Sequence, residues 1–131
     1  MLLKVVQTDR APAAIGPYSQ GIAAASWLFV SGQLGLQPET GELAGPDFGS
    51  QARRALENLR QIVQAGGGSL KDVAAVDVFL TDMGKFAEFN QIYAEYFSDH
   101  RPARAVVEVR ALPKGARVEI KCIACLRANS Q

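Results

Sequence analysis

Apolar residues change their spacing several times along the chain, and each change marks a different kind of element. Leu2 to Gln7 alternates weakly, and Gly21 to Gly32 carries Ile22, Trp27, Phe29 and Val30 around the small run Ala23 to Ser26. This pattern predicts two or three strands in a meander. Pro38 to Gly41 (PETG), followed by Gly45 and Pro46, is turn chemistry, because proline fixes φ and glycine supplies positive φ. From Gly49 to about Gly66, Ala52, Ala55, Leu56, Leu59, Ile62 and Val63 recur at steps of three and four with Arg53, Arg54, Glu57, Arg60 and Gln64 between them, which predicts an amphipathic helix. The triplet Gly66 to Gly68 ends it. Because the triplet follows a helix and lacks a lysine, it reads as a cap and not as a phosphate loop.

Val73 to Thr81 (VAAVDVFLT) is apolar at nearly every position and rich in β-branched residues, as a central strand would be. A second helix is expected from near Gly84, with Thr81 or Asp82 as cap and an apolar stripe of Phe86, Phe89, Tyr93, Tyr96 and Phe97. Beyond Pro102 come two last strands, Arg104 to Arg110 and Ala116 to Arg127, joined by the turn Leu112 to Gly115. The order β-β-β-α-β-α-β-β predicts an α+β fold of about six strands in one mixed sheet, with both helices packed on a single face. Two helices cover only one face of such a sheet. The other apolar face would lie in water unless copies of the chain bury it, so the patterning predicts an oligomer.

Composition narrows the function classes. A chain of 131 residues with 48% hydrophobic and 21% charged residues reads as one globular domain, residues 1–131, able to fold without a metal or disulfide staple. Fourteen Lys and Arg against 13 Asp and Glu leave a net charge of +1, so no basic field draws in a nucleic-acid backbone. The first ten residues are too polar and too short in apolar run for a signal segment or membrane span, and a cytoplasmic location is expected. Cys122 and Cys125 have the spacing of a zinc or redox pair, yet they fall in a predicted strand, where residues three apart point to opposite faces.

His100 is the only histidine, which leaves no histidine metal cluster and no obvious histidine-dependent triad. Chemistry must come from carboxylate, guanidinium, hydroxyl, amide and backbone groups. Asn90 puts a carboxamide on the apolar stripe of the second helix, either to face a ligand or to tie the helix to a loop. Arg104 opens a strand, where a planar guanidinium can grip a carboxylate with two bonds or form a surface ion pair. Glu119, within the last strand and on the face of Lys121 and Ile123, is either a general acid or base with a raised pKa or part of a solvated face. Ala14 to Gly21 (AIGPYSQG), with Tyr18, reads as a turn or a binding edge, and Ser31-Gly32-Gln33 closes a strand with backbone open to close approach.

Five ordered blocks carry a resemblance: APAAIGPYSQG (11–21), FVSGQLGLQPETGEL (29–43), QARRALENLRQIVQAGG (51–67), VFLTDMGKFAEFNQIYAEYF (78–97) and RPARAVVEVRALPKGARVEIKCIA (101–124). Together they make the chain similar, nearly end to end, to the RidA/YjgF family of reactive-intermediate deaminases. The resemblance implies a chorismate-mutase-like fold assembled as a homotrimer, with sheets lining a barrel-like core and ligand clefts between subunits. It also implies a 2-iminobutanoate/2-iminopropanoate deaminase that needs no cofactor or metal and turns imines and enamines into 2-oxoacids and ammonia. By motif position, the family's carboxylate-binding arginine falls on Arg104 and its water-positioning glutamate on Glu119. Tyr18, Ser31 and Asn90 match pocket-lining positions, with Gly32 and the backbone near Val106 at the imine end. Many deaminating members have a cysteine where Val106 stands; the implied chemistry uses no thiolate. Two other readings accompany the deaminase: a trimer that binds small carboxylates without turnover, and an RNA-cleaving translation inhibitor.

Overall fold

The computed structural model describes residues 2–127. Eight elements follow the expected order: β1 (Leu3–Val6), β2 (Gly21–Ala24), β3 (Trp27–Leu34), α1 (Phe48–Ala65), β4 (Val73–Leu80), α2 (Phe86–Tyr96), β5 (Ala103–Glu108) and β6 (Val118–Cys125). The six strands form one sheet in the order β1-β2-β3-β6-β4-β5. Only β4 and β5 run parallel, and α2 is the crossover that parallel neighbours need. The sheet is therefore mixed.

Alternation along the strands separates its two faces. Leu28 and Val30 of β3, Val76, Val78 and Leu80 of β4, and Val118, Ile120, Cys122 and Ala124 of β6 are all buried on one side. Against them pack Ala52, Ala55, Leu56, Leu59, Ile62 and Val63 of α1 and Phe89, Ile92 and Tyr93 of α2. Phe89, Tyr93 and Phe97 form a ladder of rings with centroid spacings of 5.5 and 4.8 Å. The opposite face carries no helix and leaves Leu3, Val5, Trp27, Phe29 and Val107 exposed. Both helices thus lie on one face, as the patterning predicted.

Local signals set the boundaries. Asp47 caps α1 by accepting the Ser50 N–H at 2.9 Å. Its end is a glycine stop: Gly67 has a φ of +98°, and the N–H of Gly68 returns to the Val63 carbonyl at 3.0 Å. The second helix starts two residues later than expected, because Asp82 caps a single 3₁₀ turn at Met83–Lys85 before α2 begins at Phe86. The turn expected at Leu112 to Gly115 is a 3₁₀ turn at Pro113–Gly115, with Lys114 at a φ of +61°. The strands on either side of it, expected over Arg104 to Arg110 and Ala116 to Arg127, run over Ala103–Glu108 and Val118–Cys125. Cys122 is buried and Cys125 exposed, on opposite faces as a three-residue offset in a strand requires.

Candidate active site

The expected site residues divide between the two faces of the sheet. On β4, Val76 pairs with Arg104 of β5 and Val78 with Val106, so Arg104 and Val106 share the helix-covered face with those valines. Phe79, three residues beyond Val76, pairs with Glu119 of β6 and points the other way. Glu119 belongs to the open face.

On the open face, the β3–β6 pairing slips by one residue between Val30 and Gln33. This bulge contains Ser31 and Gly32 and turns the strand toward a cleft of about 580 Å³. The cleft is lined by Tyr18, Ser31, Gly32 and Glu119, with Lys114 and Lys121 contributing cations. Glu119 lies directly over Gly32: a Cβ on Gly32 would sit 1.9 Å from Glu119 Oε2. Glycine here makes room for a carboxylate. Burial pushes the Glu119 pKa above the ordinary glutamate value, while the Lys121 ammonium pulls against that rise. A carboxylate so placed can take a proton near neutral pH more readily than a solvated one.

The loop that brings Tyr18 to the cleft is held by an amide. Buried Gln20 accepts the Thr8 N–H through Oε1 at 2.7 Å, and its Nε2 donates to the carbonyls of Pro12 at 2.7 Å, Thr8 at 3.1 Å and Ala11 at 3.3 Å. Ser31 Oγ donates to the Ser19 carbonyl at 2.6 Å and its N–H to the Gln20 carbonyl at 2.9 Å, pinning the same loop to the bulge. The hydroxyl proton of Ser31 is thereby committed, and its oxygen can still accept.

On the helix side, Arg104 projects from the edge strand β5 over the rings of α2. Its guanidinium carbon is 4.7 Å from the Tyr93 ring centroid and 5.8 Å from that of Phe86. Among the described residues it makes no hydrogen bond and no ion pair. Asn90 Oδ1 and Tyr93 Oη are buried nearby on the same helix and have no hydrogen-bond partner among the described residues. Burial raises the Tyr93 pKa to about 12, so the phenol stays protonated, and the charge of Arg104 opposes that rise.

One chain therefore brings Tyr18, Ser31, Gly32 and Glu119 together and separately groups Arg104 with the α2 face that carries Asn90, but it does not join the two groups. Sequence reasoning missed Gln20, whose buried role depends on a loop geometry that no spacing encodes. It also missed Lys114, which reaches the cleft from a turn. The buried amides of α1 carried no signal either: Asn58 donates to the carbonyls of Leu34 and Leu36, and Gln51 links Gly45 and Arg117. His100 is engaged with the Val73 carbonyl at 2.6 Å, a structural contact. Among the described residues no group of three or more His, Cys, Asp or Glu is placed to hold a metal ion, and no helix is long and apolar enough to cross a membrane.

Known proteins match this architecture closely. The family model described as Endoribonuclease L-PSP matches residues 8–126. A RutC family protein of Pyrococcus horikoshii is 49% identical over 121 residues, covering 92% of this chain and 96% of its own. The mouse 2-iminobutanoate/2-iminopropanoate deaminase is 44% identical over 124 residues, covering 95% of this chain and 92% of its own. The crystal structure of Escherichia coli TdcF with bound serine superposes with a TM-score of 0.90 at 44% identity, over 95% of this chain and 99% of that one. Matched from the first loop to the last strand in both sequence and fold, the chain belongs to the Endoribonuclease L-PSP family, also called RidA/YjgF.

Proposed function

We propose that this protein hydrolyses reactive 2-imino and enamino acids, such as 2-aminoacrylate and 2-iminobutanoate, to 2-oxoacids and ammonia, in sites shared between copies of a homotrimer. The observation that carries this reading is the division of the site across the sheet. Arg104, a cation without a carboxylate partner among the described residues, stands on one face. A partly buried carboxylate, Glu119, sits in a glycine notch on the other. Neither half suffices for the chemistry, and no rearrangement of side chains carries one through the sheet to the other. A second copy that covers the exposed face with Trp27, Phe29 and Val107 can bring its own half alongside and bury apolar surface at the same time.

In this reading Arg104 of one copy holds the substrate carboxylate with its planar fork, next to Asn90 and Val106. Glu119 of the neighbouring copy, beside Tyr18, Ser31 and Gly32, orients a water at the C=N carbon. The water oxygen bonds to that carbon while Glu119 takes one of the water's protons and passes it to the nitrogen, which becomes the amino group of a carbinolamine. The carbinolamine's hydroxyl proton then moves to that amino group, the C–N bond breaks as C=O forms, and ammonia leaves. An enamine first gains a proton at its β-carbon and loses one from its nitrogen to become the imine. Imines hydrolyse readily in water, so positioning and modest proton transfer are enough. The name of the mouse relative and the serine bound to E. coli TdcF, an amino acid of the size and charge the substrate needs, both support this substrate class. An RNA-cleaving role finds less support, since the single histidine is tied to a backbone carbonyl and the net charge is +1.

The test is release of ammonia and 2-oxoacid from imines made in situ by an amino-acid oxidase or threonine dehydratase. Faster release that is lost in Arg104→Ala is the expected result. No acceleration with small or large imines, combined with tight binding of 2-oxoacids, would favour the second reading, a carboxylate-binding trimer, to which the serine in TdcF also points.

A further inference from the structure

Arg104 is unusual among the charged residues near α2 in what surrounds it. Glu95 is engaged by Arg53 at 2.9 Å and Glu88 by Lys85 at 3.8 Å, while Glu108 accepts the Met83 N–H at 2.7 Å. These three carboxylates are engaged by other groups, and what α2 offers Arg104 is aromatic rings. Phe86 and Tyr93 are seven residues apart, two turns along one face of the helix, and Arg104 lies against both. Tyr93 is fixed by the ring ladder between Phe89 and Phe97, which anchors its half of the platform.

From this geometry we infer that the ring faces of Tyr93 and Phe86 hold the Arg104 guanidinium in place for an incoming carboxylate, which makes them positioning residues for the reaction. The inference rests on the proposed role of Arg104. Its physical basis is a contrast between two ways of fixing a guanidinium. A neighbouring carboxylate would hold it by the same N–H edge that the substrate needs and would compete with the substrate. A π-face attracts the cation through the flat of the group and leaves the donors along the edge free. The hydroxyl of Tyr93 has no described partner, so the ring and not the oxygen does the holding.

The test is steady-state kinetics on the full-length protein with imines generated in situ, comparing Tyr93→Leu, Tyr93→Phe, Phe86→Leu and Phe86→Trp. Because the carboxylate is held alike in ground and transition states, the loss falls on KM. Tyr93→Leu should raise KM about threefold to thirtyfold, with kcat nearly unchanged. Tyr93→Phe should restore the wild-type KM. Phe86 is 39% exposed, so Phe86→Leu should leave the fold intact, raise KM by a smaller factor and be rescued by Phe86→Trp. An independent readout is the Arg104 Nε–H resonance, expected upfield from the ring current in wild type and Tyr93→Phe and back at its ordinary position in Tyr93→Leu. Unchanged KM in both leucine variants, with Arg104→Ala still impaired, would overturn the platform alone. If Arg104→Ala keeps full activity, the proposed function falls instead, and the resonance then decides whether the platform exists.

Discussion

The two halves of the candidate site are built on opposite faces of one sheet by different physical means. On the helix side, the core fixes the apparatus: Tyr93 is locked in an aromatic ladder, and Arg104 lies across it with no charged partner among the described residues. On the open side, backbone and loop do the fixing: a bulge opens β3, Gly32 vacates space for Glu119, and Gln20 ties down the loop bearing Tyr18. The first half leaves a cation against ring faces, and the second holds a partly buried carboxylate whose pKa burial raises. The comparison teaches that one sheet can keep a guanidinium and a carboxylate from pairing with each other. In the proposed function, their cooperation is a property of the assembly.

The strongest way to break this comparison is to separate the halves by mutation. Arg104→Ala should lower kcat/KM about a hundredfold to a thousandfold, as expected for losing a charge-assisted grip on the substrate, with the fold retained because the side chain is only half buried. Mixing Arg104→Ala with a Glu119→Gln variant and letting the copies exchange should restore about a quarter of wild-type activity, because random cyclic trimers regain an intact site at some interfaces. Recovery confined to the residual activity of the single variants would mean that both groups act within one copy.

The fold was largely legible in the chain because its signals are periodic. The three- and four-residue steps of α1, its glycine stop and the apolar run of β4 each depend on residues close in sequence, so spacing captured them. Boundaries were less legible where a single turn runs into a helix, as at Met83–Lys85 before α2. Of the site, a guanidinium opening a strand suggested Arg104 and a carboxylate within the last strand suggested Glu119, and the family resemblance paired them; the parity of β4 shows that they face apart in one chain. Gln20 was invisible, since a buried amide that serves four backbone groups of a loop leaves no pattern in a sequence. Gly32 was visible only as a gap: the carboxylate that fills it comes from a strand 87 positions along the chain, a contact no local rule contains.

Next in size is the open-face carboxylate itself. Glu119→Gln should lower kcat about a hundredfold while leaving KM nearly unchanged, in line with removing a general base. In wild type, kcat/KM should rise with pH through an inflection above the ordinary glutamate value, because burial raises the Glu119 pKa and the reaction needs its ionised form. Stability should run the other way. A carboxyl group whose folded pKa exceeds its unfolded value contributes most below the unfolded value and loses that contribution as pH rises through the folded one. Glu119→Gln should therefore melt slightly higher than wild type at neutral pH, with the difference shrinking on acidification. A wild-type inflection that persists in Glu119→Gln would assign it to another group.

Gly32→Ala sharpens the same half without touching its charge. The added methyl would lie 1.9 Å from Glu119 Oε2 and 2.8 Å from its Cδ, so the carboxylate must swing away. Gly32 does not have a positive φ, and alanine is tolerated by the backbone there. The expected result is a loss of about tenfold in kcat, in the range of a displaced catalytic group, with an unchanged melting temperature. A normal rate would show that Glu119 works from somewhere other than the notch.

The smallest effect concerns the loop, and it distinguishes the two halves most cleanly. Gln20→Met keeps a side chain of similar volume but removes the acceptor for the Thr8 N–H and the donor to Thr8, Ala11 and Pro12. Backbone groups left unpaired in a partly buried loop cost about 1–3 kcal/mol, which thermal or denaturant unfolding can measure. Tyr18 sits on the segment between these anchors and the Ser31 bulge, so the cleft wall should loosen and KM rise a few-fold. Arg104, Tyr93 and Asn90 share no hydrogen bond with that loop. Their half should be unaffected, and the Arg104 Nε–H resonance in Gln20→Met should match wild type. If that resonance moves as well, the two faces are coupled through the sheet, and the separation of cation and carboxylate is not the independent construction that the strand register implies.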